Sequence, residues 1–193
     1  MKTFFISDLH FGHKNVLKYD RRPFLNIDEH DETIIKNWNS VVSDDDLVYI
    51  LGDVGISNQA RIINCLHQLK GKKHLILGNH DYKLLKNKDF VDCFIAIDDI
   101  LEIKIFPADG KPKMLVLSHW PIPCFDGHFH GSYHFYGHVH NSWEWDMMEE
   151  VKYKMENVKH ARCNMYNVGI MIPYMNYYPR TFDEIVSKRP NNY

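Results

Sequence analysis

The chain has 193 residues, 45% of them apolar and 25% charged, ordinary usage for a globular domain that excludes disordered and fibrous classes. That length buries a sizeable core without help from disulfides or a structural metal, so residues 1–193 are read as a single domain. A formal net charge of -2 supplies no global basic field for a nucleic-acid backbone, and any nucleic-acid contact would have to be local.

The first predicted element is a short buried strand from Lys2 to Ser7, ending at Asp8-Leu9-His10. Its start turns polar too soon for a signal peptide. No apolar run in the chain is long enough to span a bilayer, which predicts a soluble, cytoplasmic protein without membrane contact. Asp28 to Val42 follows with Ile34, Ile35, Trp38, Val41 and Val42 at helical spacing. Asp28, Glu29, Asp31 and Glu32 sit in the first turns, where the helix dipole favours them. Leu47 to Leu51 reads as a second strand, stopping at Gly52-Asp53. Ser57 is the predicted N-cap of a helix whose face is Ile62, Ile63, Leu66 and Leu69, with Gly71 as terminator. A third strand, His74 to Leu77, ends at Gly78-Asn79-His80-Asp81. Strands alternating with helices, each delivering polar residues at its C-terminal end, predict an α/β domain with its site along one sheet edge.

The second half is richer in sheet. Phe94 to Phe106 and Met114 to Ser118 carry β-type runs around the turn Pro107-Ala108-Asp109-Gly110. Phe125 to Tyr136, rich in Gly, His and aromatics, reads as a loop over the site, and Asp146 to Lys159 as a helix or an excursion. Tyr166 to Ile170 is a predicted strand, and Thr181-Phe182-Asp183-Glu184 matches a capping box opening a last helix. Cys65, Cys93, Cys124 and Cys163 form no C-x-x-C pair and read as reduced thiols.

The anomaly is 13 histidines, and what matters is where they stand. Asp8 and His10, two apart on an extended segment, project to the same side and can grip one ion. Asp53 follows a glycine that allows close approach, which suits a carboxylate placing one oxygen on each of two metals. Asn79 offers an amide oxygen, and His119, His138 and His140 offer imidazoles. Together they make seven nitrogen and oxygen ligands.

Asp8-x-His10, Gly52-Asp53, Gly78-Asn79-His80-Asp81, His119 and Gly137-His138-Val139-His140, in that order, resemble the signature of the calcineurin-like metallophosphoesterases. The match runs from residue 8 to residue 140. His10-Phe11-Gly12-His13, Arg22-Pro23-Phe24 and Asn167-Val168-Gly169 look most like its small single-domain bacterial and phage branch. That branch often has an acidic residue two after the late glycine, where this chain has Met171. The resemblance implies a four-layer α/β/β/α sandwich of two mixed β-sheets flanked by helices. It implies a first metal held by Asp8, His10, Asp53 and His140 and a second by Asp53, Asn79, His119 and His138. Four imidazoles favour Mn, Fe, Zn, Co or Ni over Mg or Ca.

The implied activity is hydrolysis of phosphate esters, phosphodiesters slightly ahead of monoesters, and the absence of long insertions or an added capping domain suits a small phosphate-ester or nucleotide-like substrate or a strand end better than duplex DNA. A metal-bridging hydroxide would attack, with His80 as general acid and Asp81 fixing its tautomer. His13 and Arg22 are candidate phosphate contacts; His13 could equally be a helix residue, and paired arginines are more often a solvated edge. His128, His130 and His134 are either loop filler or a gate, and His30, His67, His74 and His160 are given no role. Two rival readings are a metal-binding interaction scaffold without catalysis, and a nuclease acting on RNA or single-stranded DNA.

Overall fold

The structure, a computed structural model, describes residues 1–187. The first half builds a parallel sheet with helical crossovers. Strand β1 (Thr3–Ile6) leads through a four-residue helix α1 (Val16–Tyr19) into α2 (Ile27–Val41), then β2 (Leu47–Leu51), α3 (Gln59–Gln68) and β3 (Lys72–Ile76). Helix α2 starts where the Asn26 side chain accepts hydrogen bonds from the Asp28 and Glu29 amides, satisfying donors that a helix leaves open. Its buried residues Ile34 and Trp38, one turn apart, pack into the main core with Ile62, Cys65 and Leu66 of α3. The cap of α3 is Asn58, whose side chain accepts from the Ala60 amide, not the predicted Ser57.

After a 3-10 turn, Leu84–Lys86, and α4 (Lys88–Val91), the run expected from Phe94 to Phe106 divides. Strand β4 (Ala96–Asp98) pairs with β3, while β5 (Ile100–Ile105) belongs to a second sheet, with Asp99 alone between them. That sheet continues through β6 (Lys113–Ser118), β7 (Tyr133–Tyr136) and β8 (Asn164–Asn167). Helix α5 (Trp143–Tyr153), extended by a π-helical turn, Lys154–Val158, lies between β7 and β8 in the chain. The two-residue β9 (Arg180–Thr181) then returns to the first sheet ahead of α6 (Phe182–Ser187). The capping box is present, with the Thr181 amide donating to the Glu184 carboxylate.

The architecture is the four-layer α/β/β/α sandwich of two mixed sheets. The five-stranded sheet runs β4-β3-β2-β1-β9, parallel except for β9, and the four-stranded sheet runs β5-β6-β7-β8 with β5 antiparallel. Phe5 meets Phe135 edge-on between the sheets. A smaller core of Val116, Phe125, Tyr136, Val139, Cys163 and Met165, with Trp145 against it, seats α5 on the outside of the second sheet. Residues Tyr133–Tyr136, expected as loop, form β7 because both of their faces are covered: Phe135 points into the main core, and His134 and Tyr136 are fully buried. No helix among the described residues is long and apolar enough to cross a membrane.

The sheets are joined at one end. Ser7, just past β1, bridges to Gly169, just past β8. The Ser7 amide donates to the Val168 carbonyl at 2.9 Å, and the Ile170 amide donates to the Ser7 carbonyl at 3.0 Å. The C-terminal lips of the parallel strands β1, β2 and β3 in one sheet and β6, β7 and β8 in the other therefore lie along one seam.

Candidate metal centre

Every predicted ligand stands on that seam. Past β1, the Asp8 and His10 amides donate to the Gly52 and Asp53 carbonyls, both at 3.0 Å, so the two lips run side by side beyond the strands. The Gly137 amide donates to the His119 carbonyl at 3.0 Å, joining the β6 and β7 lips. Two glycines permit this crowding. A Cβ on Gly78 would lie 2.4 Å from Asp53 Oδ1, and one on Gly137 would lie 2.7 Å from Asp8 Oδ2, both closer than atoms can pack. Asp8, His10, Asp53, His138 and His140 all have positive φ, a conformation non-glycine residues seldom adopt.

Asp8, His10, Asp53 and His140 each offer one ligand atom, and those atoms lie within 4.8 Å of one another. His10 Nε2 is 3.1 Å from His140 Nε2 and 3.6 Å from Asp53 Oδ2, while His140 Nε2 is 3.4 Å from Asp8 Oδ1. A second group gathers around the other Asp53 oxygen. His119 Nε2 lies 3.6 Å from Asp53 Oδ1, 3.1 Å from Asn79 Oδ1 and 3.3 Å from His138 Nδ1. The carboxylate of Asp53 thus faces one cluster with each oxygen, and both donor sets, nitrogen and oxygen without sulfur, fit borderline divalent ions.

Neighbouring groups fix the imidazoles. His119 Nδ1 donates to the Leu51 carbonyl at 2.8 Å, leaving Nε2 as the lone-pair donor. His140 Nδ1 donates to Asp20 Oδ1 at 2.7 Å, which aims its Nε2 at Asp8 and His10. Asp20 has no counterpart among the sequence-derived candidates. Asn167 holds the same segment from below, donating from Nδ2 to the His140 carbonyl at 3.0 Å. That contact gives a physical role to the late Asn-Val-Gly. Met171, in place of an acidic residue, is buried in the core beneath it.

Arg22 requires a correction. Its side chain is 0% exposed, so it cannot be a phosphate contact. Instead it donates from Nε to Asp20 Oδ2 at 2.9 Å, from Nη2 to the Asp8 carbonyl at 3.0 Å and from Nη1 to the Leu9 carbonyl at 3.3 Å. Nη1 also meets His30 Nε2 at 2.9 Å, and His30 Nδ1 donates to Asp31 Oδ1 at 2.8 Å. His30, given no role from the sequence, is thus a buried link in the chain that holds the β1 lip.

Asp81 requires another. Its oxygens accept from the Asp53 and Gly78 amides, both at 2.9 Å, and from the Val54 amide at 3.0 Å. The carboxylate is spent tying the β2 lip to the β3 lip, so it does not fix the tautomer of His80. His80 stands at the mouth with its side chain 43% exposed and Nε2 3.9 Å from Asp53 Oδ2. His13, half-buried, places Nδ1 3.3 Å from His10 Nδ1 on the other side. Of the loop histidines, His134 is fully buried and His128 is buried with Nδ1 on the Phe125 carbonyl, so neither can gate; His130 is exposed.

The electrostatics would suit a cation. Burial would raise the Asp8 carboxyl, but the charge and hydrogen bond of His140 outweigh it and hold Asp8 well below the usual carboxylate range. Burial alone would lower His140, yet Asp8 and Asp20 lift it to about 10. Burial, Arg22 and His140 push His10 well below the ordinary value, and burial and His119 lower His138. The pocket between Asp8 and His140 attracts positive charge, and a metal taking that place would displace a proton.

No family model matches the chain. It is 50% identical over 82 residues to uncharacterized protein MJ1445 of Methanocaldococcus jannaschii, covering 42% of this chain and 47% of that one. It is 42% identical over 131 residues to the Gene 66 protein of Mycobacterium phage L5, covering 62% and 63% respectively. The chain therefore spans less than two thirds of the length of these curated relatives. The crystal structure of a protein of unknown function, AQ665 from Aquifex aeolicus, superposes with a TM-score of 0.58 at 22% identity, covering 96% of this chain and 97% of that one. That likeness extends the sandwich fold to a solved structure.

Proposed function

We propose that the chain is a dinuclear-metal-dependent phosphoesterase of the calcineurin-like kind, hydrolysing phosphodiesters ahead of monoesters. The observation that carries this reading is Asp53, whose two oxygens face two separate clusters: His10, His140 and Asp8 on one side, His119, Asn79 and His138 on the other. Mn, Fe, Zn, Co or Ni bound there would supply an activated water and a clamp on phosphoryl oxygens.

The rest of the work falls to the chain's own groups. Two carboxylates, Asp8 and Asp53, are too few to neutralise two dications, so the loaded pocket favours an anionic phosphate. Leu51 and Asp20 hold His119 and His140 in the tautomers that present Nε2. His80 projects from the β3 lip into solvent beside Asp53, within reach of a leaving oxygen, and gives that oxygen its proton. Its backbone amide donates to Asp53 Oδ1 at 3.1 Å, which keeps the ring at the mouth of the site. His13, across His10 from His80, contacts the bound phosphate. Trp120 rests on the His138 ring with centroids 4.1 Å apart and is 45% exposed, offering an apolar wall for a nucleotide-like ester.

The test is hydrolysis of bis-p-nitrophenyl phosphate and p-nitrophenyl phosphate by metal-stripped protein with Mn restored, beside Asn79→Ala and His80→Ala. Metal-dependent turnover that collapses in both variants supports the mechanism, and the diester-to-monoester ratio sets the substrate class. Two ions bound per chain without turnover of either ester would defeat it in favour of a metal-binding scaffold.

A further inference from the structure

Strand β5 pairs with β6 along one edge, and among the described residues no strand pairs with the other. Leu101, Ile103 and Ile105 pack against the main core. Ile100, Glu102 and Lys104 face outward and are exposed. The exposed row is bounded by apolar side chains, Ile100 at 54% and Phe106 at 72% exposed, and Pro107 ends the extended segment. An open six-residue edge carrying exposed apolar groups is a template for another strand.

The sequence along this edge is complementary to itself. Laid antiparallel to a second β5 about a twofold axis at Ile103, the segment opposes Glu102 to Lys104 of the second copy and Lys104 to its Glu102. Ile100 then meets Phe106 of the second copy on the same outward face. On the inward face Leu101 meets Ile105, and Ile103 meets its own mate. Every cross-strand pair is either apolar with apolar or of opposite charge, the pairs that stabilise antiparallel strands. A shift by two residues would put Glu102 opposite Glu102 or Lys104 opposite Lys104, which disfavours slippage.

The neighbouring edge supports the same reading. Among the described residues β4 is one edge of the other sheet, separated from β5 by Asp99, and Ile95 just before it is 61% exposed. A second sheet edge with an exposed apolar side chain thus adjoins β5 in the chain.

We propose that β5 is a homodimerisation edge, pairing with β5 of a second copy in this register to make one continuous eight-stranded sheet. The contact is isologous, with each copy giving and receiving the same pairs. β5 leaves the seam at Ile100, which lies opposite Ser118 just before His119. Antiparallel pairing thus sends the two candidate metal centres to opposite ends of the assembly, and dimerisation is independent of how either is used.

The experiment is sedimentation velocity of the full chain over about a hundredfold range of concentration, for the wild type, Glu102→Lys, Lys104→Glu and the double exchange. The wild type is expected to show a concentration-dependent monomer–dimer equilibrium. Glu102→Lys places lysine against Lys104 twice about the axis, and its dimer is expected to be at least about tenfold weaker. Lys104→Glu should do the same. The double variant restores opposite charges and should return to within about threefold of wild type. Both positions are exposed, so thermal denaturation should confirm that each variant is folded. A wild type that sediments as monomer throughout overturns the proposal. So does a dimer insensitive to either single reversal, or one that the double exchange fails to restore.

Discussion

Replacing Asp20 with asparagine separates the two tasks that residue performs. Asp20 Oδ1 accepts from His140 Nδ1 at 2.7 Å, and its Oδ2 receives Arg22 Nε at 2.9 Å and Nη2 at 2.8 Å. An amide keeps the shape and one acceptor oxygen but removes the charge. His140 then loses one of the two carboxylates that lift it to about 10, and its Nε2 becomes a poorer donor. Loss of such an outer partner weakens metal binding by about 10–100-fold, or about 1.4–2.7 kcal/mol. Only the cluster of Asp8, His10, Asp53 and His140 should feel it, because His119 is oriented by Leu51.

The second task is structural. Arg22 is 0% exposed in its side chain and loses its carboxylate partner, a change that costs about 3–5 kcal/mol when a buried pair is broken outright and nearer the lower figure with an amide left in place. For a domain of this size, about 3 kcal/mol lowers Tm by roughly 6–12 °C. Competition with a chromophoric chelator reads the first effect, and thermal denaturation in excess chelator reads the second. One of the two sites should weaken, and Tm of the metal-free protein should fall. A variant that loses stability but binds both ions with unchanged affinity would refute the claim that Asp20 aims His140.

His134 predicts a pH-dependent stability. Burial pushes it down to about 4, against the opposing pull of hydrogen bonds with Val116 and Trp120. The unfolded chain takes up this proton as pH falls through the ordinary 6.5, while the native chain resists until about 4, so stability is full above 6.5 and is lost across that window. The loss is about 3 kcal/mol, read by urea denaturation at several pH values; a His134→Gln protein with the same pH slope as wild type would disprove it. Gly78→Ala would drive a methyl into Asp53 Oδ1 and its backbone. It should abolish Mn-dependent turnover and cost at least about 1–3 kcal/mol, measured by assay and melting together. Asp81→Asn turns an amide donor toward one of three backbone donors. It should destabilise by about 1–3 kcal/mol and impair turnover on good and poor leaving groups alike. An effect confined to poor leaving groups would mean that Asp81 acts through His80 after all.

What the sequence made legible follows from how local each signal was. Leu47–Leu51 was readable to the residue because an unbroken apolar run bounded by Asp46 and Gly52 suits a strand covered on both faces. The candidate ligands Asp8, Asp53, Asn79 and His119 were readable because each follows a run read as a strand, whereas His138 and His140 stood out only through the Gly137-His138-Val139-His140 motif. The sequence concealed partners that are distant along the chain. Asp20 touches His140, 120 positions away, and nothing near Asp20 reports that contact. Asp81 misled for the opposite reason: adjacency to His80 suggested a pair, but the turn closed by the Asp81 amide on the Gly78 carbonyl sends its carboxylate back toward Val54. β7 was missed because four residues containing a histidine, close behind Gly127 and Gly131, carry too little pattern to outweigh the loop signal around them.

The left-handed backbone of the candidate ligand residues bears on what the proposed site would cost this chain. Asp8, His10, Asp53, His138 and His140 each occupy a region that glycine enters freely and that costs other L-residues roughly 1–2 kcal/mol. Five such positions together approach the whole net stability of an ordinary domain. A lineage drifting under stability alone would exchange these side chains for glycine, one relaxed turn at a time. Carboxylates and imidazoles at all five, on a single seam, are what the proposed metal centre would ask of a backbone that stability alone would fill with glycine.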